Sequence, residues 1–339
     1  MSNKVDIVIS WVDGDDPEWV AEKQRYTSEI DNKVDEKRAR YRDWDNVQYI
    51  FRGIEKFAPW VNKIFFVTYG HLPAWLDVTN PKLVVVKHED FIPKEYLPTF
   101  SSTTIEFNFH RIEGLSDNFV YFNDDMFLIR HTKESDFFTK DKPCDSAVLN
   151  AISIGRMPNE KKLFLAPVIN MSIINSYFDK SSTIKEKPLN WYNLKYSKNL
   201  LRTIALLPWR HFTGFVNWHL PYSIKKSTLE EVWKLENDVL DNTCKHRFRK
   251  EDDPNIWLFI YWQYAMNNFK PRSPKIGGEF GISDDVESNK KIIEKIMKSK
   301  FKVVCLNDAV SDTGVFEDCK EMVNNMLESI LPDKCSFEK

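Results

Sequence analysis

Two adjacent carboxylates close the run Asn118-Phe-Val-Tyr-Phe-Asn123-Asp124-Asp125, where a stretch apolar enough to be a buried strand stops in concentrated negative charge. Ionised carboxylates side by side repel, so a divalent cation is their natural partner, and an oxygen ligand set favours Mg2+ or Mn2+ over zinc. A solvated acidic turn is the plain alternative. Against it stands a second acidic cluster at the start of the chain. Val5-Asp-Ile-Val-Ile-Ser10 reads as a short strand, and Asp13, Gly14, Asp15, Asp16 and Glu18 follow at once, punctuated by Pro17. In open parallel α/β sheets ligands bind beyond the carboxyl ends of the strands, so two acidic strand ends point to one charged crevice.

The elements around these clusters alternate. Val47, Ile50, Phe51, Ile54, Phe57 and Ala58 recur at helical spacing after Asp45, and Pro59 stops that helix. Strands are predicted at Lys63 to Thr68 and Leu83 to Lys87. Thr103-Thr-Ile-Glu106 has the spacing of a capping box and predicts a helix stopping near Gly114, just before the Asn-Asp-Asp strand. Strand and helix in this order predict an α/β fold, a doubly wound, mostly parallel sheet over residues 1–136. From 137 to 217 the periodicity fades among scattered Pro, Asn, Lys and aromatics, which predicts an insertion of short helices and irregular segments, the expected seat of acceptor specificity. Residues 218–339 complete the core. There Ser227-Thr-Leu-Glu230 is a second capping box, for a helix to about Leu240, and Asp253-Pro254 opens an aromatic helix to about Asn268. Phe301 to Leu306 reads as a buried strand ending in Asn307-Asp308. A last helix carries Phe316, Cys319, Val323, Met326, Leu327 and Ile330 on one face and ends at Pro332.

At 339 residues the chain has room for about two domains. Its 48 basic and 50 acidic residues argue against a general nucleic-acid binder. It has no P-loop and no G-x-G-x-x-G, which sets aside P-loop kinases and dinucleotide oxidoreductases, and the lack of a G-x-S-x-G elbow leaves Ser-His-Asp hydrolysis unsupported. Cys144, Cys244, Cys305, Cys319 and Cys335 are widely spaced and form no C-x-x-C pair, so they read as reduced thiols of a cytoplasmic protein. The start, Met1-Ser-Asn-Lys, has no apolar targeting run. Leu200 to Tyr222 is interrupted by Arg202, Arg210, His211 and His219 and is too polar to span a membrane. With Trp209, Trp218, Lys225 and Lys226 nearby, it leaves peripheral contact with the inner membrane face as an expectation.

These residues carry a resemblance. Ile9-Ser-Trp-Val-Asp-Gly-Asp-Asp-Pro17, Arg40-Tyr-Arg42-Asp43 with Ala58-Pro-Trp60, Val67-Thr-Tyr-Gly-His-Leu-Pro-Ala-Trp75, and Leu97-Pro-Thr-Phe-Ser-Ser102 through Asn123-Asp-Asp125 resemble the first two conserved blocks of the Stealth family. Trp218-His-Leu-Pro221 with His246-Arg247-Phe-Arg249 resembles the third block, and Phe301 to Asp308 the fourth. The resemblance implies a fold related to GT-A glycosyltransferases and a sugar-1-phosphate transferase of capsular or exopolysaccharide synthesis. In that reaction an acceptor sugar hydroxyl attacks the β-phosphorus of a donor such as UDP-N-acetylglucosamine, a nucleoside monophosphate leaves, and a phosphodiester forms. Phosphoryl transfer of this kind needs positioning and charge neutralisation more than covalent help, which suits a Mg2+ or Mn2+ cofactor and cationic side chains.

Under the resemblance Asp125 and Asp308 become metal ligands, with Asp124 a third. His219 becomes the general base, and Arg249 and Arg247 hold the diphosphate. Asp13, Gly14 and Asp15 would face the nucleoside end of the donor, and Arg40, Arg42, Asp43 and Asn123 would share in substrate binding. The plain alternatives are a core histidine at 219 and a solvated basic run at 246–250. The partners are then a nucleotide-sugar donor and an oligo- or polysaccharide acceptor, with no nucleic acid. Two other functions fit the same features. One is a metal-dependent glycosyltransferase, where the acceptor attacks the anomeric carbon and a nucleoside diphosphate leaves. The other is a non-catalytic polysaccharide-binding protein that stacks sugars on Trp209, Trp218, Trp257 and Trp262.

Overall fold

The computed structural model describes residues 4–26, 41–153 and 165–339. In chain order the strands are β1 (Val5–Ser10), β2 (Ile64–Thr68), β3 (Leu83–Lys87), β4 (Asn118–Phe122), β5 (Met126–Leu128), β6 (Phe138–Thr139), β7 (Lys142–Asp145), β8 (Tyr222–Lys225), β9 (Lys270–Pro271), β10 (Gly277–Ser283) and β11 (Val303–Ala309). The main sheet runs β3-β2-β1-β4-β8. Its first four strands are parallel, and β8 closes the edge antiparallel to β4. A second sheet runs β10-β11-β5, with β10 and β11 parallel and β5 antiparallel. A third, β6-β7-β9, is small. The fold is thus α/β with a mostly parallel main sheet, as the alternation of elements predicts.

β2, β3 and β4 form where they do because they are continuous runs rich in β-branched and aromatic residues. All of β2 and β4 is buried, as expected for sheet strands covered on both faces. The helix Val47–Phe57 buries the positions its periodicity marks, and Phe51 meets Phe66 of β2 edge to face at 5.4 Å. All nine residues of the helix Trp257–Ala265 are buried, so Trp257 and Trp262 belong to the core. One apolar core runs without a break through residues of 1–136, 137–217 and 218–339. The middle section contributes short helices, Ala166–Tyr177, Lys180–Glu186, Pro188–Trp191 and Leu200–Ala205. All five cysteines are free and buried. Among the described residues no helix is long and apolar enough to cross a membrane.

Several local expectations are corrected. The helix before β4 spans only Ser102–Phe107, followed by a turn of 3-10 helix, and Glu106 points into the protein instead of capping. The helix Lys226–Leu235 starts ahead of Ser227, whose N–H donates to Asp117 at 2.8 Å, and it breaks at Glu236 before a second helix, Asn237–Cys244. Asp253 accepts from the Lys250 N–H and pairs with His246, so the aromatic helix opens later, after Ile256. β11 extends to Ala309, which places Asn307 and Asp308 inside the strand, opposite Gly281 and Ile282. The last helix, Thr313–Ile330, keeps its predicted face, with Asp312 as its cap.

Candidate active site

Parallel pairing lines up the carboxyl ends of β1, β2 and β4 along one edge of the main sheet. β8 runs the other way, with Tyr222 opposite Tyr121, so the residues leading into β8 arrive at that same edge. This brings His219 to the turn Asn123–Asp125 that follows β4. The chain leaves that turn as β5, where Met126 pairs with Cys305 and the Asp125 carbonyl accepts from the Leu306 N–H at 2.9 Å. Three segments far apart in sequence therefore meet at one point.

There the His219 Nε2 lies 3.7 Å from the Asp125 Oδ2, and its Nδ1 shares a 2.6 Å hydrogen bond with the Tyr222 hydroxyl. The Cys305 Sγ donates to the same Asp125 Oδ2 at 3.2 Å. The Asp125 Oδ1 is buried and has no hydrogen-bond partner. Burial disfavours a charged His219, but Asp125, with help from Glu279 and Glu106, outweighs it and holds the imidazole above its ordinary pKa. The neighbouring Asp124 is held above the usual carboxylate range by the protein walls around it, then by Asp125 and Asp43. Asp124 is open to solvent, so water screens part of that repulsion. A buried carboxylate oxygen without a partner, next to a second carboxylate open to solvent, is an arrangement a hard divalent cation would complete, so Asp125 and Asp124 fit Mg2+ or Mn2+.

Glu106 was not foreseen as a site residue. It is 5% exposed, accepts from the Tyr121 hydroxyl at 3.1 Å, and that hydroxyl also shares a 2.8 Å bond with the Ser10 Oγ. Burial pushes its carboxyl up to about 7, against the opposing pull of Arg249, Tyr121 and His219. The signal available in sequence was a lone acid amid Thr103, Thr104, Phe107 and Phe109, an otherwise buried stretch. Arg249 reaches the same helix and donates to the Ser102 hydroxyl. Arg247 turns elsewhere, its guanidinium 4.5 Å from the ring centre of Tyr26 and its carbonyl bonded to the Phe100 N–H.

The first-strand loop is built on its own contacts. The Asp13 N–H donates to the His71 Nε2 at 2.8 Å, and the Asp13 Oδ1 accepts from the Asp15 N–H. A Cβ on Gly14 would sit 1.9 Å from the Tyr41 carbonyl oxygen, so the close approach that demands glycine here is by the chain itself. Asp43 is raised in pKa, first by burial and then by Asp45 and Asp13 despite its bond from the Asp45 N–H. Arg42 grips the Asp308 carboxylate with Nε at 3.0 Å and Nη2 at 2.6 and 2.7 Å, also donates to the Val310 carbonyl, and stacks 3.8 Å over Phe316. Trp44 adds a 3.2 Å bond to Asp308. Asp308 is therefore engaged by cationic and indole donors, and contact with a metal requires Arg42 to release it. Asn123 stands half-buried in the turn, its carbonyl accepting from the Met126 N–H, and Arg40 lies outside the described residues.

Residues 3–31 match Stealth protein CR1, conserved region 1; residues 40–145 match CR2, conserved region 2; and residues 294–339 match CR4, conserved region 4. His219 and Arg249 lie outside these three matches. The capsular polysaccharide phosphotransferase WcwK of Streptococcus pneumoniae is 41% identical over 337 residues, 99% of this chain and 98% of the relative. The exopolysaccharide phosphotransferase cps2G of Lactiplantibacillus plantarum is 38% identical over 336 residues, 99% and 96% of the two chains. The receptor polysaccharide phosphotransferase WefC of Streptococcus oralis is 38% identical over 344 residues, 99% of each. Among solved structures, the galactosyltransferase LgtC bound to donor and acceptor sugar analogs aligns over 98% of both chains, at 10% identity and a TM-score of 0.39. With its conserved regions in order and its identity sustained from end to end, the chain belongs to the Stealth protein family.

Proposed function

We propose that this enzyme transfers a hexose-1-phosphate, such as N-acetylglucosamine-1-phosphate, from a nucleotide-diphospho-sugar to a sugar hydroxyl and releases nucleoside monophosphate. Sugar-phosphate transfer in capsular or exopolysaccharide synthesis follows from the family and the full-length phosphotransferase relatives. The donor, the acceptor and the leaving group are our reading of the site. The acceptor oxygen attacks the β-phosphorus, the bond from that phosphorus to the bridging oxygen breaks, and the anomeric bond stays intact. The acceptor's proton passes to the His219 Nε2, whose ring is fixed from the other side by Tyr222. Asp125 and Asp124 would hold Mg2+ or Mn2+, joined by Asp308 if Arg42 moves to the donor's phosphates. When bound, the ion neutralises diphosphate charge. Arg249 supplies forked donors to the non-bridging oxygens.

The observation that carries this reading is the convergence of a histidine with a carboxylate whose second oxygen is unclaimed, at the carboxyl edge of a mostly parallel sheet. The reading extends to a place at the inner face of the membrane. Leu189, Leu194, Leu201 and Trp209 are exposed, and so are Lys185, Lys198, Arg202 and Arg210 in the same stretch of sequence, a composition suited to brief contact with anionic lipid. The test is to offer UDP-, GDP- and CMP-sugars with Mg2+ or Mn2+ and a mixture of oligosaccharide acceptors, and to resolve the released nucleotides. Nucleoside monophosphate with a new phosphodiester signal in phosphorus NMR is expected. Release of nucleoside diphosphate would make the protein a glycosyltransferase and remove the His219 mechanism.

A further inference from the structure

We infer that Asp125, His219 and Cys305 form a zinc-binding triad at this edge of the sheet, through which Zn2+ shuts the transferase off. Each offers a different ligand atom, an oxygen, a nitrogen and a sulfur, all within 4.8 Å of one another. The His219 Nε2 and the Cys305 Sγ stand 3.7 and 3.2 Å from the Asp125 Oδ2. With Zn–S of about 2.3 Å and Zn–N or Zn–O of about 2.0 to 2.1 Å, tetrahedral geometry puts neighbouring ligand atoms about 3.3 to 3.5 Å apart. These two pairs need less than about half an ångström of adjustment, and the third, His219 Nε2 to Cys305 Sγ, lies within 4.8 Å and closes by up to about 1.3 Å. No other such group of three gathers among the described residues.

The chemistry of the set separates it from the oxygen ligands proposed for catalysis. Thiolate and imidazole favour Zn2+ over Mg2+, and Zn2+ also stands above Mn2+ in the usual order of affinities. Cys305 is buried, while Asp125 and His219 are partly open, so an ion would reach the triad from their exposed side, with a fourth position left to water. The Tyr222 hydroxyl on the His219 Nδ1 is the kind of outer partner that orients a metal-bound imidazole. On binding, a Zn–S bond forms as the Cys305 thiol proton leaves to solvent, and the Nε2 lone pair and a carboxylate oxygen complete the triad without further change. His219 then has no lone pair for the acceptor's proton, and Asp125 is withdrawn from Mg2+. Only this inhibition rests on the transfer reading, since the site itself rests on geometry.

Titrating the metal-free full chain with Co2+, with no substrate present, tests the site. One equivalent should give a sulfur-to-cobalt charge-transfer band and the visible bands of tetrahedral cobalt, both erased by Zn2+. Cys305→Ser should abolish the charge-transfer band and weaken Zn2+ binding at least about tenfold. His219→Gln should weaken Zn2+ binding similarly, an independent check should the first variant fail to fold. No charge-transfer band in the wild type, or an unchanged band in Cys305→Ser, overturns the triad. In the nucleotide-release assay Zn2+ should inhibit the wild type at lower concentration than Cys305→Ser, and equal inhibition of the two overturns the shut-off. Because the cobalt titration uses no substrate, failure of the triad and failure of the transfer reading are separate results.

Discussion

Glu106→Gln should flatten the dependence of folding stability on pH. Glu106 is buried, and burial, opposed by Arg249, its Tyr121 hydrogen bond and His219, pushes its carboxyl from 4.5 to about 7. The folded protein thus holds this proton more tightly than the unfolded chain does. The stability it contributes is complete below pH 4.5, declines as the pH rises, and is lost once the pH passes about 7. Going from 4.5 to about 7, at about 1.4 kcal/mol for each tenfold change in proton affinity, places the full loss between about 3 and 4 kcal/mol. Glutamine keeps a carbonyl oxygen for the Tyr121 hydroxyl and does not titrate. Urea unfolding of both proteins from about pH 5 to about pH 8 measures the effect, and titrating groups remote from Glu106 cancel in the difference, leaving Glu106 and the His219 it couples to. The variant should gain between about 2 and 3 kcal/mol on the wild type across that range, since part of the loss has already occurred by pH 5. Parallel stability profiles, or a wild type that gains on the variant as pH rises, would refute the reasoning.

Asp125→Asn should abolish metal-dependent turnover while the circular dichroism spectrum stays that of a folded protein, and wild-type rates would remove Asp125 from the metal site. His219→Ala should leave donor affinity by calorimetry largely intact and cut turnover at least about a hundredfold, as loss of a general base does; normal turnover would return His219 to a structural part. Arg42→Met should cost about 3 kcal/mol in denaturant unfolding, because it strands the largely buried Asp308 carboxylate, and Asp308→Asn added to it should recover part of that loss. If the double variant is no more stable than the single, the pair is not the source of the cost. Leu194→Glu combined with Trp209→Glu should end cosedimentation with vesicles of anionic phospholipid, and undiminished binding would dismiss the inner-face contact.

Much of the fold was legible because β2, β3 and β4 are nearly continuous apolar runs, β1 is one interrupted only by Asp6, and the helix Val47–Phe57 repeats with a 3.6-residue period. β10 escaped notice because Gly277, Gly278 and Gly281 break its pattern, and what stabilises it is its pairing with β11. The capping-box spacing at 103–106 was present but misleading. Local spacing cannot tell that a glutamate's surroundings are Tyr121 and the buried end of a sheet rather than water. Asp124, Asp125 and His219 could be picked out from residue type, strand ends and family resemblance. The partnership of Asp308 with Arg42 could not, since 266 positions of sequence lie between them and only tertiary structure joins the pair.

The direction of two strands decides whether there is a site at all. β8 pairs antiparallel to β4, so the residues before Tyr222 reach the same edge as the residues after Phe122, and His219 meets Asp125. A parallel β8 would carry His219 to the opposite edge, roughly a strand length of 17 Å away. The same holds for β11, whose antiparallel pairing with β5 sets Cys305 beside Asp125. Parallel neighbours need a crossover from one end of the sheet to the other, whereas an antiparallel partner must be approached from the edge where the previous strand ended. The section between β7 and β8 returns the chain to that edge, and its short helices pack on the aromatic helix Trp257–Ala265 through contacts such as Phe178 with Trp262. The insertion thus has a structural task besides any role in acceptor choice: it delivers the histidine to the carboxylates.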